Sequence, residues 1–313
     1  MKVLWEKGGM VLVALACFAL FAISVPGFVA AGNLADVLVA VSTVGIVACT
    51  MLFCLAAGDF DLSVGSTVAL AGVMAALLLQ KGQSAAVAII LPLLAGATIG
   101  AINGFVIARL GINALITTLA TMQIVRGLAY LICDGGSIGI SDAGFTSLGQ
   151  FKLGILQSPV MFMLLFFITF GLLLSKTIFG RNTLAIGGNQ QAARLAGINV
   201  SGTKILLFTL QGIAAAFAGV LLASRVSSGT PRSGEGLELA VISGCVLGGV
   251  SLTGGVGSLP GMIAGVFIMG MVKNAMDLKN VPTFWQMVAS GAILLAAVLL
   301  DKLKNRAGTS GAS

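Results

Sequence analysis

The chain has 313 residues, of which 58% are hydrophobic and only 9% charged, with a mean hydropathy of +1.10 and a formal net charge of +7. Soluble domains carry roughly 25% charged residues, so a water-facing globular surface is excluded. The basic residues are scattered between apolar runs rather than clustered, which argues against a nucleic-acid surface and makes them topology signals.

Apolar runs of about 20 residues mark helical membrane spans, whereas a β-barrel would show short alternating segments. In chain order, ten spans are expected, near 10–31, 34–57, 62–80, 84–107, 112–132, 158–175, 204–224, 237–252, 259–276 and 284–300. The expected fold class is an all-α polytopic membrane protein, a single transmembrane domain over residues 1–313 with one substantial soluble loop at 176–204. The first run follows Lys2 and Lys7 and imitates a signal peptide, but it is too long and no clear small-residue cleavage site follows, so it is expected to remain as the first span. With a cytoplasmic N-terminus, ten spans bring the C-terminus back to the cytoplasm. Lys2, Lys7, Arg109, Lys176, Arg181, Arg194, Lys204, Lys302, Lys304 and Arg306 then lie inside. Lys81, Lys152, Arg225, Arg232, Lys273 and Lys279 lie outside, and Arg126 falls within a span. Ten inside against six outside favours this orientation.

Between spans two and three stands GDFDLSVGS (58–66). Asp61 or Ser63 can N-cap the third helix, where a carboxylate also suits the positive end of the helix dipole. The alternative is that Asp59, Asp61 and Ser63 border the inner mouth of a pathway. DLSVGSTVALAGV (61–73) also aligns with ELAVISGCVLGGV (238–250): an acidic residue leads both, and Leu, Val, Ser, Leu, Gly and Val coincide. Span three would then match span eight. An odd offset inverts the second copy in the membrane, giving inverted five-helix repeats with Glu238 at the outer mouth. Chance matching among Val, Leu and Gly is the competing explanation.

In span five, Asn113, Thr117 and Thr121 recur at i, i+4 and i+8 and share one helical face. They can hydrogen-bond a passing polar solute or glue helices together. Arg126 is costly within a span, roughly 2.5–3.5 kcal/mol near its centre. It is expected in the outer half, snorkelling or facing water, with Glu235 or Glu238 as an acidic partner; anchoring and gating remain open. The small-residue runs AGATIGAING (95–104) and GIAAAFAG (212–219) permit close helix packing.

The loop GRNTLAIGGNQQAARLAGINVSGTK (180–204) holds a short helix, with Asn189 as N-cap and Gly197 as C′ residue. Alone in water so short a helix is unstable, so the membrane domain or a partner must hold it. It is either a docking element or an ordinary amphipathic connector. GINVSGTK (197–204) reverses the Lys and Thr of GxxxxGK[ST] and follows no strand, so it reads as the start of a span rather than a phosphate loop. GGVGSLPG (254–261) fails GxGxxG because Pro260 occupies the third glycine's place; it reads as a tight turn with Pro260 in the first turn of span nine. Cys17, Cys49, Cys54, Cys133 and Cys245 lie in or beside apolar runs without metal-ligand spacing, and there is no histidine, so no metal site is expected.

GDFDLSVGS, INALITTLATMQIVRGLAYLI, GRNTLAIGGNQQAARLAGI and VLGGVSLTGGVGSLPG together resemble the membrane permease subunits of bacterial ATP-binding-cassette sugar importers. The likeness covers nearly the whole chain. It lies in the ribose/arabinose/xylose/galactose branch, strongest toward members that carry L-arabinose, and is distantly related to branched-chain amino-acid permeases. The resemblance implies a multi-pass inner-membrane homodimer in contact with lipid. It implies a cytoplasmic ATPase that alone uses ATP and Mg, and a periplasmic sugar-binding protein. No catalytic residue, no metal, no nucleic acid and no cofactor of the chain's own are expected. GGNQQAARLAG becomes the coupling helix gripped by the ATPase, which assigns Arg181, Asn189, Ala193, Arg194 and Gly197 to coupling. The family usually has an acidic residue after the Asn, where this chain has Gln190. Two rivals stand beside this reading. An ion-coupled secondary transporter would need intramembrane carboxylates, whereas the acids here lie mostly at span boundaries. A membrane enzyme would need convergent catalytic groups.

Overall fold

The computed structural model describes the backbone of residues 2–309 and the side chains of residues 9–299. Lys2, Lys7, Lys302, Lys304 and Arg306, used above as topology signals, therefore have side chains outside the described residues. The chain folds as α1 (Lys2–Ser24), α2 (Ala31–Ala56), α3 (Val64–Gln80), α4 (Ala85–Ala108) and α5 (Ala114–Ile132). Next come β1 (Ile138–Gly139), α6 (Ala143–Gln150), β2 (Lys152–Leu153), β3 (Leu156–Gln157), α7 (Ser158–Lys176), α8 (Ile178–Gly188) and α9 (Gln190–Leu195). The rest is α10 (Val200–Val226), β4 (Ser228–Gly229), α11 (Leu237–Leu247), α12 (Leu259–Leu278) and α13 (Thr283–Thr309).

Among the described residues, six helices are long and apolar enough to cross a membrane: α2, α4, α5, α7, α10 and α12. Shorter apolar helices occupy Gly9–Ser24, Val64–Gln80, Leu237–Leu247 and Thr283–Leu299. Each expected span thus coincides with an apolar helix, but the eighth is corrected. α11 stops at Leu247, not 252, because Gly249 takes a left-handed φ of +84°. Its N–H bonds the Val246 carbonyl, and Val250 N–H bonds that of Cys245. At 1.5 Å per residue α11 is about 17 Å long, too short for a hydrocarbon core of about 30 Å. The segment between spans five and six, where no element was expected, folds into α6 and the β2–β3 hairpin, while β1 pairs antiparallel with β4.

α10 is the hub, packed on α4, α3 and α2. The two small-residue runs meet where Gly96 packs against Gly212 and Ala216, and the rest of the first run lies against residues of α10 that precede the second. Gly96, Gly100 and Gly104 of α4 face Gly212, Phe208 and Ile205 of α10, and a methyl group on Gly100 would overlap the Phe208 carbonyl. α2 is buried almost continuously from Gly45 to Ala56 and carries the main core with α7, α10 and α11. Phe53 meets Phe170 of α7 edge-on and stacks on Phe179 of α8 with centroids 5.9 Å apart, which pins α8 to the end of α2. α3 packs on α4, α5 and α10; α11 packs on α12, α13 and α2. In span order these pairings superimpose after a shift of five. Cys49, Cys54 and Cys245 are buried in the core, while Cys17 and Cys133 are half-buried.

Candidate functional site

α2 and α3 are joined by a non-helical stretch that runs inside the protein, and the polar residues of GDFDLSVGS sit on it. Asp61 is buried, and its Oδ1 accepts hydrogen bonds from the Ser63 N–H (2.8 Å) and hydroxyl (2.6 Å). Neither residue caps α3 as expected. Ser63 occupies the N-cap position, but its side chain bonds no helix amide. Its backbone is already helical there, and its hydroxyl is committed to Asp61. Ser63 Oγ in turn accepts from Asn103 Nδ2 of α4 (3.1 Å), and Asn103 Oδ1 accepts from the Thr121 hydroxyl of α5 (2.6 Å). A buried polar chain, Asp61–Ser63–Asn103–Thr121, thus ties α3, α4 and α5 together. Burial pushes the Asp61 carboxyl up to about 6, overcoming the lowering effect of the two Ser63 bonds.

Of the three residues placed on one face of α5, only Thr121 reaches another helix. Asn113 is the exposed N-cap, accepting from Leu115 and Ile116 N–H, and Thr117 bonds back to the Asn113 carbonyl. Asp59 does not join the chain. Its Oδ2 lies 2.7 Å from Lys204 Nζ at the start of α10, with side chains 12% and 9% exposed. This is the one ion pair among the described residues.

Glu238 lies against the start of α3. The first turn of α11 meets the first turn of α3: a methyl group on Gly65 would overlap Glu238 Oε2 and the Gly234 carbonyl. The cause is the stretch between α10 and α11, which turns back along α3, with Gly229 against Gly72 and Gly234 against Gly65. Such backbone inside a membrane protein needs internal partners for its polar groups. Arg126 supplies them, donating from Nη1 to the carbonyls of Pro231 (2.6 Å) and Ser233 (2.8 Å). The expected ion pair with Glu235 or Glu238 does not form: Nη1 goes to backbone oxygens, and Glu235 instead accepts a long bond of 3.5 Å from the Tyr130 hydroxyl.

The loop 180–204 is where sequence and structure agree most closely. Asn189 Oδ1 accepts from Ala192 N–H (2.9 Å), so the N-cap stands. Gly197 has φ +81°, its N–H bonds the Arg194 carbonyl, and Ile198 N–H bonds that of Ala193, so the C′ glycine stands too. Asn199 then caps α10 through Gly202 N–H, which makes GINVSGTK the start of a span. Pro260 lies in the first turn of α12, as read, and Ser258 caps that helix. α9 is turned outward. Gln190, Gln191, Ala192, Arg194 and Leu195 are exposed, Leu195 at 91%, as is Arg181 on α8. Ala193 is the exception: it packs into the core, so it anchors the helix rather than presenting a surface.

Sequence reasoning missed Asn103, Lys204, Leu195 and Gln211. The last is fully buried on α10, and neither amide atom has a hydrogen-bond partner. The available signal was the isolation of Asn103 and Gln211 as amides inside small-residue helices. No group of three or more His, Cys, Asp or Glu among the described residues is arranged to hold a metal ion.

Comparison with known proteins supplies the family. Residues 33–298 match the family described as "Branched-chain amino acid transport system / permease component". The chain is 53% identical over 304 residues to the L-arabinose transport system permease protein of Escherichia coli (strain K12), covering 97% of this chain and 93% of that one. It is 48% identical over 299 residues to an L-arabinose ABC transporter permease protein of Azospirillum brasilense, covering 96% and 88%. It is 39% identical over 283 residues to the ribose import permease protein of Bacillus subtilis (strain 168), covering 90% and 88%. No solved structure matches the chain. With apolar helices throughout and permease relatives along nearly its full length, the chain is a multi-pass inner-membrane protein that belongs to this permease family, in the sugar branch of ATP-binding-cassette importers.

Proposed function

We propose that this chain is the translocation subunit of an ATP-dependent, binding-protein-dependent importer of L-arabinose. The observation that carries the substrate is the 53% identity, nearly end to end, with an L-arabinose permease. Two copies form a homodimer, each with both termini in the cytoplasm and ten crossings arranged as inverted repeats of five, the eighth made by the short α11 together with the buried non-helical stretch that precedes it along α3. The shared pairings of α3 and α11 support that symmetry. ATP and Mg bind wholly to a cytoplasmic ATPase, and loaded sugar arrives on a periplasmic binding protein.

α9 is the coupling helix. Its outward face, with Arg194 and Leu195, offers the ATPase a charge and an apolar contact, while Ala193 and the two caps hold it to the permease. Arg181 flanks it on α8. Movement of this element shifts α10 and α3 and switches the dimer between outward-open and inward-open states. The first turns of α3 and α11, with Asp59, Asp61, Ser63, Thr121, Arg126 and Glu238, form the gate region that rearranges. Asn113 and Thr117 shape the start of α5 beside it. Contacts to sugar are few, because low residual affinity speeds release, and selectivity rests with the binding protein.

The test is ATP-driven uptake in vesicles rebuilt with the ATPase and binding protein, comparing labelled L-arabinose, ribose and galactose. Uptake of ribose or galactose in preference to arabinose would overturn the substrate. Arg194→Glu is expected to leave insertion intact and abolish coupling of hydrolysis to uptake. Labelling of a cysteine placed at Gln191 by an impermeant reagent applied outside intact cells would overturn the orientation and the coupling role together.

A further inference from the structure

The soluble face of this permease and its buried gate region are joined by chain connectivity and by a single electrostatic contact. α9 passes into α10 through four residues in a hydrogen-bonded turn: Ile198 N–H bonds the Ala193 carbonyl, and Val200 N–H bonds that of Ile198. Displacement of α9 must therefore move the start of α10, whose second turn begins with Lys204. The Lys204 ammonium is buried and reaches Asp59 at 2.7 Å. Asp59 stands only five residues before the first residue of α3, on the non-helical connection from α2.

We propose that Asp59 and Lys204 form a transmission tie, carrying movement of the α9–α10 corner into the start of α3. This rests on the coupling role given above to α9. Three observations favour it over a merely structural pair. It is the sole ion pair among the described residues of a chain with 17 basic and 10 acidic residues, so charge is not being used as general glue. Asp59 Oδ2 has no other polar partner, and the neighbouring Asp61 is held by Ser63, so neither carboxylate has a ready alternative arrangement. The pair bridges a sequence separation that no backbone hydrogen bond crosses nearby. The α3–α10 seam is a close glycine approach, with Gly72 facing Gly219 and Gly219 facing the Val68 backbone, so no large side chains interlock there to fix the two helices along their axes. A buried charge pair in low dielectric adds such a fixing point, on the connection that leads into α3. Lys204 and Asp59 are positioning residues, acting through α3 rather than on sugar.

The experiment uses the complete complex of permease, ATPase and binding protein in vesicles, reading uptake and ATP hydrolysis together per inserted permease. Asp59→Asn and Lys204→Met are each expected to lower the ratio of uptake to hydrolysis roughly tenfold or more, within the range of ordinary coupling between sites. The decisive variant is the double neutral Asp59→Asn/Lys204→Met, which leaves no unpaired buried charge. A structural role predicts that it recovers coupled uptake, and that result would overturn the proposal. The tie predicts normal insertion with the ratio still low. If the double variant fails to accumulate, Lys204→Arg against Lys204→Gln decides: a ratio lost only in Gln supports the tie, and equal ratios overturn it. A wild-type complex that shows no ATP-driven uptake would instead overturn the importer reading on which the tie rests.

Discussion

The link between Asn103 and Thr121 makes a quantitative prediction about how the gate region is held. Asn103 sits at the centre of the polar chain, donating to Ser63 Oγ at 3.1 Å and accepting from the Thr121 hydroxyl at 2.6 Å. Side-chain hydrogen bonds between membrane helices average about 0.6 kcal/mol and reach about 1.7. Asn103→Ala removes both bonds, so the range is about 1–3 kcal/mol. The freed Thr121 hydroxyl can turn to the carbonyl four residues back, as Thr117 and Thr118 already do. That relaxation sets the expected loss in the lower half, about 1–2 kcal/mol. Thr121→Val, which keeps the shape, loses one bond and is expected to cost about 0.6 kcal/mol. Measured by equilibrium unfolding in mixed detergent–lipid micelles, the double variant should cost less than the sum by about 0.6 kcal/mol or more, because the second substitution has nothing left to remove. Thr118→Val, whose hydroxyl bonds its own helix, should add independently with Asn103→Ala. Additivity of Asn103→Ala and Thr121→Val within about 0.3 kcal/mol would refute the bond.

Four further outcomes are expected. Gly100→Val drives a side chain into the Phe208 backbone and should cost at least about 1–3 kcal/mol, seen as lost thermostability in detergent; Gly188→Ala, whose methyl meets nothing, is the neutral control. Gln211→Met replaces a buried amide with two unpartnered atoms by an apolar chain of similar length, and should stabilise by about 1–2 kcal/mol; destabilisation would show that the amide has a partner. Gly197→Val forces a β-branched residue to φ +81°, costing about 1–2 kcal/mol locally, so hydrogen exchange should quicken over residues 190–199 while the spans stay protected. Asp61 titrates near 6 in the fold, above its ordinary value of 3.8, so the protonated form is the one the fold favours. Its contribution is complete below about pH 3.8 and lost as pH rises through about 6, so stability should increase from about pH 7.5 to about pH 5. Asp61→Asn should flatten that increase.

The apolar runs located the helices because a bilayer demands length and hydropathy, both of which are written locally. The caps of α9 were legible for a similar reason. Asn189 and Gly197 act on residues two to four positions away, so their spacing carries the geometry. The close α4–α10 seam was half legible: both glycine-rich stripes were visible, but nothing local says that they face each other. The gate region was read least well. Asp59 and Asp61 are two residues apart and chemically alike, yet Asp61 is held locally by Ser63 while Asp59 pairs with Lys204, a partner 145 residues away that nothing nearby in the sequence announces. Arg126 was expected to seek a carboxylate because opposite charges attract. It found carbonyls instead, because the stretch before α11 buries peptide groups that no helix or sheet satisfies. The true length of α11 was hidden by hydrophobic residues that continue past the glycines ending it, and Ala193 was carried over as a contact when its small size suits it to anchoring.

The bond from Arg126 to the carbonyls of Pro231 and Ser233 also has a bearing on biosynthesis. Its two ends are 105 and 107 residues apart. A ribosome feeding this chain into the membrane delivers the guanidinium long before the oxygens that will receive it exist. During that interval α5 carries a cation without its final partners. The first half of the molecule must wait for the second, so the two halves mature together rather than one after the other.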